Sequence, residues 1–489
     1  MKKIISVVSA LVVTGSLFAG GLVTNTNQSA LYTRLQSRNA STSIDAVYYN
    51  PAGLTKLSDG FHLSLNNQTV GQTKTVTTTY PYLAGSPRDF TGKVSAPIFP
   101  GVYAAYKTGK LALSFGFNPV GGGGGAKYDE GLSSFEMQIA DLVPAISGQL
   151  APLDAAFDAI PGVDDPGFRN ITGYNSSIFF EGSSIYFGAQ LNASYEINEM
   201  LSVALGGRYV FANSSYNGYI EDVTIDAPAA YNGTQTPGDY LRFVAARPGV
   251  PAGTAAVLNG TAAVIDDRTT VEADAVLKGT GITPIISVNF APVGDLINIG
   301  LKYEFKTKMN LTTTVNDGKD AEGMFIQDSV AIADMPAMLA LGVDVKPSER
   351  LLITGSFNYY FDKGVDYDGQ EDVELNKIDK NFIEAALGVQ VGLTEKLSLS
   401  AGWLTTVTGV NENYQSDLTY SLNTNTFGGG LGFRVNDMID INLGGSYTIY
   451  QEGSKMYSHN LAGSGVLVPA TDVYNKDTWV VAIGLDFHF

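Results

Sequence analysis

The sequence predicts an all-β fold, a transmembrane antiparallel up-and-down β-barrel of fourteen strands, and three observations carry that reading. Apolar and polar residues alternate strictly in about fourteen segments. Tight turns take turns with long loops between those segments. The chain begins like an exported protein and ends on an aromatic residue. A strand with lipid on one face and a lumen on the other must alternate, because successive side chains point to opposite faces.

The alternation is plain in Ile185, Phe187, Ala189, Leu191, Ala193 and Tyr195, which interleave with Ser184, Tyr186, Gly188, Gln190, Asn192 and Ser194. It recurs in segments centred on 61–70, 98–107, 110–118, 183–196, 200–212, 276–291, 296–310, 336–346, 350–361, 381–393, 396–407, 424–435, 438–450 and 478–489. The count is even, as single-chain bacterial barrels require. Six connections are turn-like: Lys107 to Lys110, Glu196 to Glu199, Ala291 to Asp295, Lys346 to Glu349, Leu393 to Lys396 and Val435 to Met438. They alternate with seven longer ones, the longest being 119–182 and 213–275. Short turns on the periplasmic side and long loops outside are the asymmetry of an outer-membrane barrel, and they put both termini in the periplasm.

Composition agrees. Charged residues make up only 16%, while 55 Gly, 26 Tyr and 24 Phe suit twisted strands and interfacial side chains. The absence of Cys excludes disulfides, thiolate metal sites and a lipidated N-terminal Cys. A net charge of −18 argues against nucleic acid as a partner. Lys2 and Lys3 followed by the apolar run Ile4 to Phe18 read as a signal peptide over 1–20, cleaved near Ala19 to Gly21. The run is shorter than the ~20 residues a spanning helix needs. The domain reading is therefore signal 1–20, an N-terminal hatch 21–60 and the barrel 61–489, placed in the outer membrane of a Gram-negative bacterium among its lipids and lipopolysaccharide. In the last strand Trp479, Val481, Ile483, Leu485, Phe487 and Phe489 form one apolar face, with Trp479, Phe487 and Phe489 as the signal expected to be read by the barrel-assembly machinery.

The segment before strand one does not alternate. It holds Arg34, Arg38, Ser41 and the run Asp45-Ala46-Val47-Tyr48-Tyr49-Asn50-Pro51-Ala52-Gly53-Leu54. It is either a periplasmic tail or a plug, and its Tyr and Leu content favours a packed plug. Asn50-Pro51-Ala52 here, with Phe115-Gly116-Phe117-Asn118-Pro119-Val120-Gly121 and Asp334-Met335-Pro336, resembles the FadL family of outer-membrane transporters for long-chain fatty acids and hydrocarbons. The resemblance covers the whole mature chain. It implies capture of ligand at an outer hydrophobic groove, passage to an inner pocket, and sideways exit through a gap beside a kinked third strand, with the Asn-Pro-Ala segment close to that kink.

The sequence offers counterparts to each part. Asn50, Pro51, Ala52 and Gly53 form the expected gate, in which Pro51 lacks an amide hydrogen and restrains Asn50 to extended geometry. A turn without a gating role fits the same residues. Phe115, Gly116, Asn118 and Pro119, followed by Gly121 to Gly125, are expected to form the kink of strand three, since Gly and Pro weaken ladder pairing. In the next loop Leu132, Phe135, Ile139, Leu142, Val143, Ile146, Leu150, Leu153, Phe157 and Ile160 recur at a helical period that Pro144 and Pro152 should interrupt. Their apolar face either packs on neighbouring loops or borders the groove, where Leu132, Phe135, Ile139, Leu142, Leu150 and Phe157 are the candidates.

Alternation turns Arg208, Lys302, Glu304, Lys306, Glu384 and Arg434 inward. Arg208 and Lys302 are candidates to hold a ligand carboxylate, and an internal structural network is the competing reading. Catalysis finds little support. Of the three histidines, His62 shares a face with Ser64 but lacks an evident orienting third group, and neither His459 nor His488 has metal-ligand spacing. No cofactor or metal is expected. The functional expectation is passive uptake of hydrophobic small molecules, long-chain fatty acids first among them. A general porin, or a surface adhesin using its long loops, is the alternative.

Overall fold

The computed structural model describes residues 22–159, 167–321, 323–365 and 377–489; the expected signal peptide and Ile160 lie outside them. Fourteen strands form the ring: β1 (Gly60–Thr79), β2 (Arg88–Thr108), β3 (Leu111–Tyr128), β4 (Gly173–Asn198), β5 (Leu201–Asp226), β6 (Val271–Phe290), β7 (Ile297–Glu304, resuming as Asn310–Asp320), β8 (Val330–Ile332, resuming as Met338–Ser348), β9 (Leu351–Tyr360), β10 (Ile383–Gly392), β11 (Leu397–Val407), β12 (Thr424–Asn436), β13 (Ile439–Tyr450) and β14 (Leu467–His488). Each pairs antiparallel with its neighbours, and β14 closes on β1 from His62 opposite His488 to Thr79 opposite Thr471. A short strand Gly453–Asn460 lies against β14 outside the ring, and Thr234–Gln235 against β5.

Every alternating segment lies in one of these strands, and the six tight turns gather at one end. The outward face is apolar and uncovered: Leu191, Leu205, Ile282 and Val481 are 65%, 70%, 66% and 59% exposed. A belt of this kind is tolerated on a folded protein only where something apolar covers it. No helix among the described residues is long and apolar enough to cross a membrane. The strands supply the crossing.

The strands outrun their hydrophobic pattern. β4 and β5 hold 26 residues each, roughly 85 Å at about 3.3 Å per residue, against a hydrocarbon core of about 30 Å. Beyond the belt their outward residues become polar, as at Asn175, Glu181, Asn213 and Asn217, so alternation fades while the ladder continues. The two longest loops thereby shorten to 129–172 and 227–270.

The interruptions in β7 and β8 face each other and are tied by an isolated bridge between Thr307 and Met335 and by a hydrogen bond of 2.9 Å from Ala333 N to Met309 O. Asp334 accepts from the amide of Met309 at 2.8 Å and pairs with Lys306 at 2.8 Å, so the Asp334-Met335-Pro336 motif organises this break. Inside the ring, residues 22–57 form a plug containing helices α1 (Ala30–Leu35) and α2 (Ala46–Tyr49) and a 3-10 turn Pro51–Lys56. Almost all of it is buried.

Candidate functional site: the plug and the third strand

The plug is held by its own ion pair and by the barrel wall. Arg38 grips Asp45 with two hydrogen bonds, 2.9 Å from Nε and 2.7 Å from Nη2, and Ser41 and Ser29 donate to the same carboxylate at 2.6 and 3.0 Å. Burial raises the pKa of Asp45, but the charge of Arg38 and these donors outweigh it and hold the carboxyl below its usual value. Arg34, on α1, bonds to the wall beside it, to Asn442 and Ser400 at 2.6 and 2.8 Å, and also to Gln390. Burial, then the like charge of Arg38, lowers its pKa to about 10. The wall accommodates α1 closely: a Cβ added to Gly402 would lie 2.1 Å from the carbonyl oxygen of Leu35, and one on Gly388 2.4 Å from it.

The wall opens between β2 and β3. Their ladder runs from Thr108 opposite Leu111 to Val102 opposite Phe117, stops, and resumes only at Val94 opposite Ala126. Ser95–Gly101 and Asn118–Gly125 therefore face each other unpaired. Two prolines, Pro97 and Pro100, remove donors from the β2 side. On the β3 side, bulges at Pro119/Gly121 and Gly121/Gly124 bend the strand while it stays paired to β4. Gly122 has φ +92° and sits where a Cβ would strike the carbonyl oxygen of Ser184, so only glycine serves there.

The plug fills the vacancy from within. Thr24 bridges Gly121 antiparallel, flanked by hydrogen bonds of 2.9 Å from Asn25 N to Val120 O and from Gly122 N to Val23 O. Gln28 donates to the Pro119 carbonyl at 2.8 Å and accepts from the Asn118 side chain at 2.7 Å. Backbone groups that β2 leaves without partners are thus satisfied by the plug.

Two expectations change in position. Phe115 and Gly116 belong to the regular ladder, opposite Ala104 and Tyr103 on β2, because the departure begins one residue after Phe117. Asn118 and Pro119 do stand at the kink. Among the described residues Asn50-Pro51-Ala52 has no hydrogen bond to the kink; the wall groups that meet it belong to β4 and β6, and Asn50 also donates to the Ser41 carbonyl within the plug. Asn50 donates to Asn289 at 2.7 Å and accepts from Ser287 at 3.1 Å, and the Pro51 carbonyl accepts from Ser194 at 2.7 Å. Gly53 is a close approach, its missing Cβ lying 2.4 Å from the carbonyl oxygen of Ser41. Residues 23–28, which carry the contact with β3, went unremarked in the sequence because they have no alternation or motif of their own. The paired prolines of β2 were the available signal for the gap.

On the loop side of the plug the lumen is lined by an apolar cluster that includes Tyr128, Leu132, Phe180, Tyr216, Leu277 and Phe325. Two helices follow β3, α3 (Ser133–Ala140) and α4 (Leu142–Asp158), divided at Asp141, with Pro152 accommodated inside α4. Ile139 and Leu150 are buried in one cluster with residues of α5 (Pro237–Ala245) and α6 (Ala252–Thr269) of the next long loop, with Leu142 and Phe157 partly buried at its edge. Phe135 touches both clusters, and Leu132 belongs to the luminal one. The packed reading thus describes most of this face, and Leu132 and Phe135 are the members that reach the lumen.

The inward charges sort in the same way. Arg208 makes two bonds to Glu304, 2.7 and 2.9 Å, and Lys302 reaches Glu304 at 2.6 Å and the Tyr48 carbonyl at 2.8 Å. Both cations share the one Glu304 carboxylate in a buried hydrogen-bonded network, the arrangement of the competing reading. Arg434 lies exposed at the turn end of β12, paired with Asp440. Ser64 donates to Asp486, while His62 faces His488 at 2.9 Å, so Ser64 and His62 form no nucleophile and base pair. Among the described residues no cluster has the makings of a metal site.

No family model and no curated protein matches this sequence. Solved structures do match its fold. A Pseudomonas aeruginosa FadL homologue, 13% identical, superposes with TM-score 0.57 over 96% of this chain and 99% of its own. The Pseudomonas putida toluene transporter TodX, 13% identical, gives 0.53 over 96% and 100%, and the deltaS2S3 mutant of the TodX monoaromatic hydrocarbon channel, 13% identical, gives 0.54 over 94% and 99%. The fold matches that of the FadL family.

Proposed function

We propose, for a chain with the FadL fold, that it is an outer-membrane protein for passive uptake of hydrophobic small molecules, long-chain fatty acids among them. The observation that carries this reading is the bridge of Thr24 to Gly121 at the one place where β2 and β3 part. A plug that doubles as the missing ladder partner is suited to act as a gate. Ligand reaches the luminal cluster from the loop side, past Leu132 and Phe135. Residues 23–28 then leave β3, and the ligand passes between Ser95–Gly101 and Asn118–Gly125 into the bilayer. No energy source is needed beyond the fall in free energy as apolar surface leaves water. Asn50-Pro51-Ala52-Gly53 anchors the plug on β4 and β6, so that movement is confined to its leading segment. Trp479, Phe487 and Phe489 on the closing strand are proposed to present the chain to the barrel-assembly machinery, and lipid and lipopolysaccharide surround its outer belt.

Transport of toluene and other hydrocarbons by proteins of this fold favours hydrophobic cargo over polar solutes. The test is uptake by Gram-negative cells that lack their own hydrophobic-compound channels and express the full chain. Radiolabelled oleate or toluene should enter faster than in cells without it. Steady ion conductance in planar bilayers with no gain in hydrophobic uptake would replace this reading with a porin.

A further inference from the structure

Arg208 and Lys302 have a counter-ion in Glu304; two other inward lysines do not. Lys74 on β1 and Lys476 on β14 are directly opposed in the closing ladder, and both take the inward positions of their strands. Lys74 is 3% exposed, and among the described residues its ammonium has neither an ion pair nor a hydrogen bond. Lys476 donates to the Tyr420 carbonyl at 2.6 Å and lies over that ring at 4.1 Å, again with no carboxylate. Asp472, the acid nearest along the inner face of β14, is taken up by Thr78 and Tyr474. Around the pair stand Tyr420, Leu422, Tyr450 and Tyr474.

Like charges directly opposite in a sheet destabilise it, and a buried ammonium is costly unless an anion meets it. Two together, backed by aromatic rings, have the make-up of a receptor for a negative group carried on an apolar body. We propose that Lys74 and Lys476 form an anion-binding site on the lumen wall for the charged head of an amphiphile, a long-chain carboxylate. The assignment rests on the uptake function proposed above, and it separates anionic amphiphiles from neutral hydrocarbons as cargo.

The test uses the full chain in the same cells, with oleate and oleyl alcohol at limiting concentration as probes of equal chain length. Lys74→Met with Lys476→Met should slow oleate uptake about tenfold or more, the scale of one lost charge-assisted hydrogen bond, and leave oleyl alcohol unchanged. Lys74→Arg with Lys476→Arg should retain oleate uptake. In the purified protein the Met pair should unfold at a higher temperature than the parent without ligand, because a like-charge pair is gone, and should lose the oleate-induced rise in Tm. Unchanged oleate uptake in the Met pair overturns the site, as does an equal loss for both probes or a lowered ligand-free Tm. If the parent chain carries oleyl alcohol but not oleate, the anion site falls and the uptake function stands. If it carries neither, both fall.

Discussion

Thr24 and Gly121 pair as antiparallel strand residues although one belongs to the plug and the other to the barrel wall. The hydrogen bonds on either side of them make this a non-hydrogen-bonded pair, the kind with the shorter Cα separation. Cysteines placed at both positions should therefore cross-link on oxidation, and the chain has no other cysteine to compete. A Cβ at Gly121 comes 2.8 Å from the Val23 carbonyl oxygen, so the Gly121→Cys single variant is the reference. The oxidised Thr24→Cys, Gly121→Cys protein should lose hydrophobic uptake, and dithiothreitol should restore it to the level of that variant. Full uptake with the cross-link in place would mean that residues 23–28 need not leave β3.

The seat of α1 gives a second prediction. Gly402 and Gly388 leave no room for a side chain beneath the Leu35 carbonyl. Gly402→Val should displace the plug at a cost of about 1–3 kcal/mol, the usual penalty for overpacking, and raise single-channel conductance in planar bilayers. Gly207→Val is the control, since nothing lies within 4 Å of its added Cβ. It should leave conductance unchanged.

These two contacts also mark how far the sequence could be read. Strand alternation depends on each residue's own two faces, so Leu191, Leu205 and Val481 announced the barrel and its lipid side by themselves. The plug was legible as a packed segment through Tyr48, Tyr49 and Leu54. Its partners were not, because Gly402 and Leu35 are brought together only by closure of the ring. Lys74 and Lys476 were missed for a related reason. They lie where the outward face has turned polar, past the last clear alternation in β1 and before the first in β14, so neither was placed on an inner wall. Arg208 and Lys302 drew attention because they sit in the cleanest stretch of pattern; Glu304 turned inward with them, but its bond to Arg208, 96 residues away, exists only once the strands are paired.

The worth of that shared carboxylate can be measured at Glu304. It accepts from both Arg208 and Lys302 in a buried site, so Glu304→Gln leaves two cations for a neutral amide. Removing one partner of a buried ion pair typically costs about 3–5 kcal/mol. Urea unfolding of the purified barrel should show a loss of that order. A change under about 1 kcal/mol would mean that the cations find compensation elsewhere, well below the usual cost of a broken buried pair.

The ion pair inside the plug responds to acid in a defined direction. Asp45 is held below its usual carboxyl value by Arg38, so its contribution is fully present above about pH 3.9, the unfolded-state value, and is lost as pH falls through the depressed one. From pH 8 to 5 the plug should therefore stay seated and bilayer conductance should be flat. Below about pH 4 conductance should climb as Asp45 takes up a proton and Arg38 is left buried and unpaired. Asp45→Asn should conduct at every pH, with that acid step abolished. An acid step of the same size in Asp45→Asn would assign the response to another carboxyl. Asp344 is the first to consider, being buried on the inner face of β8 within reach of the charge of Arg38.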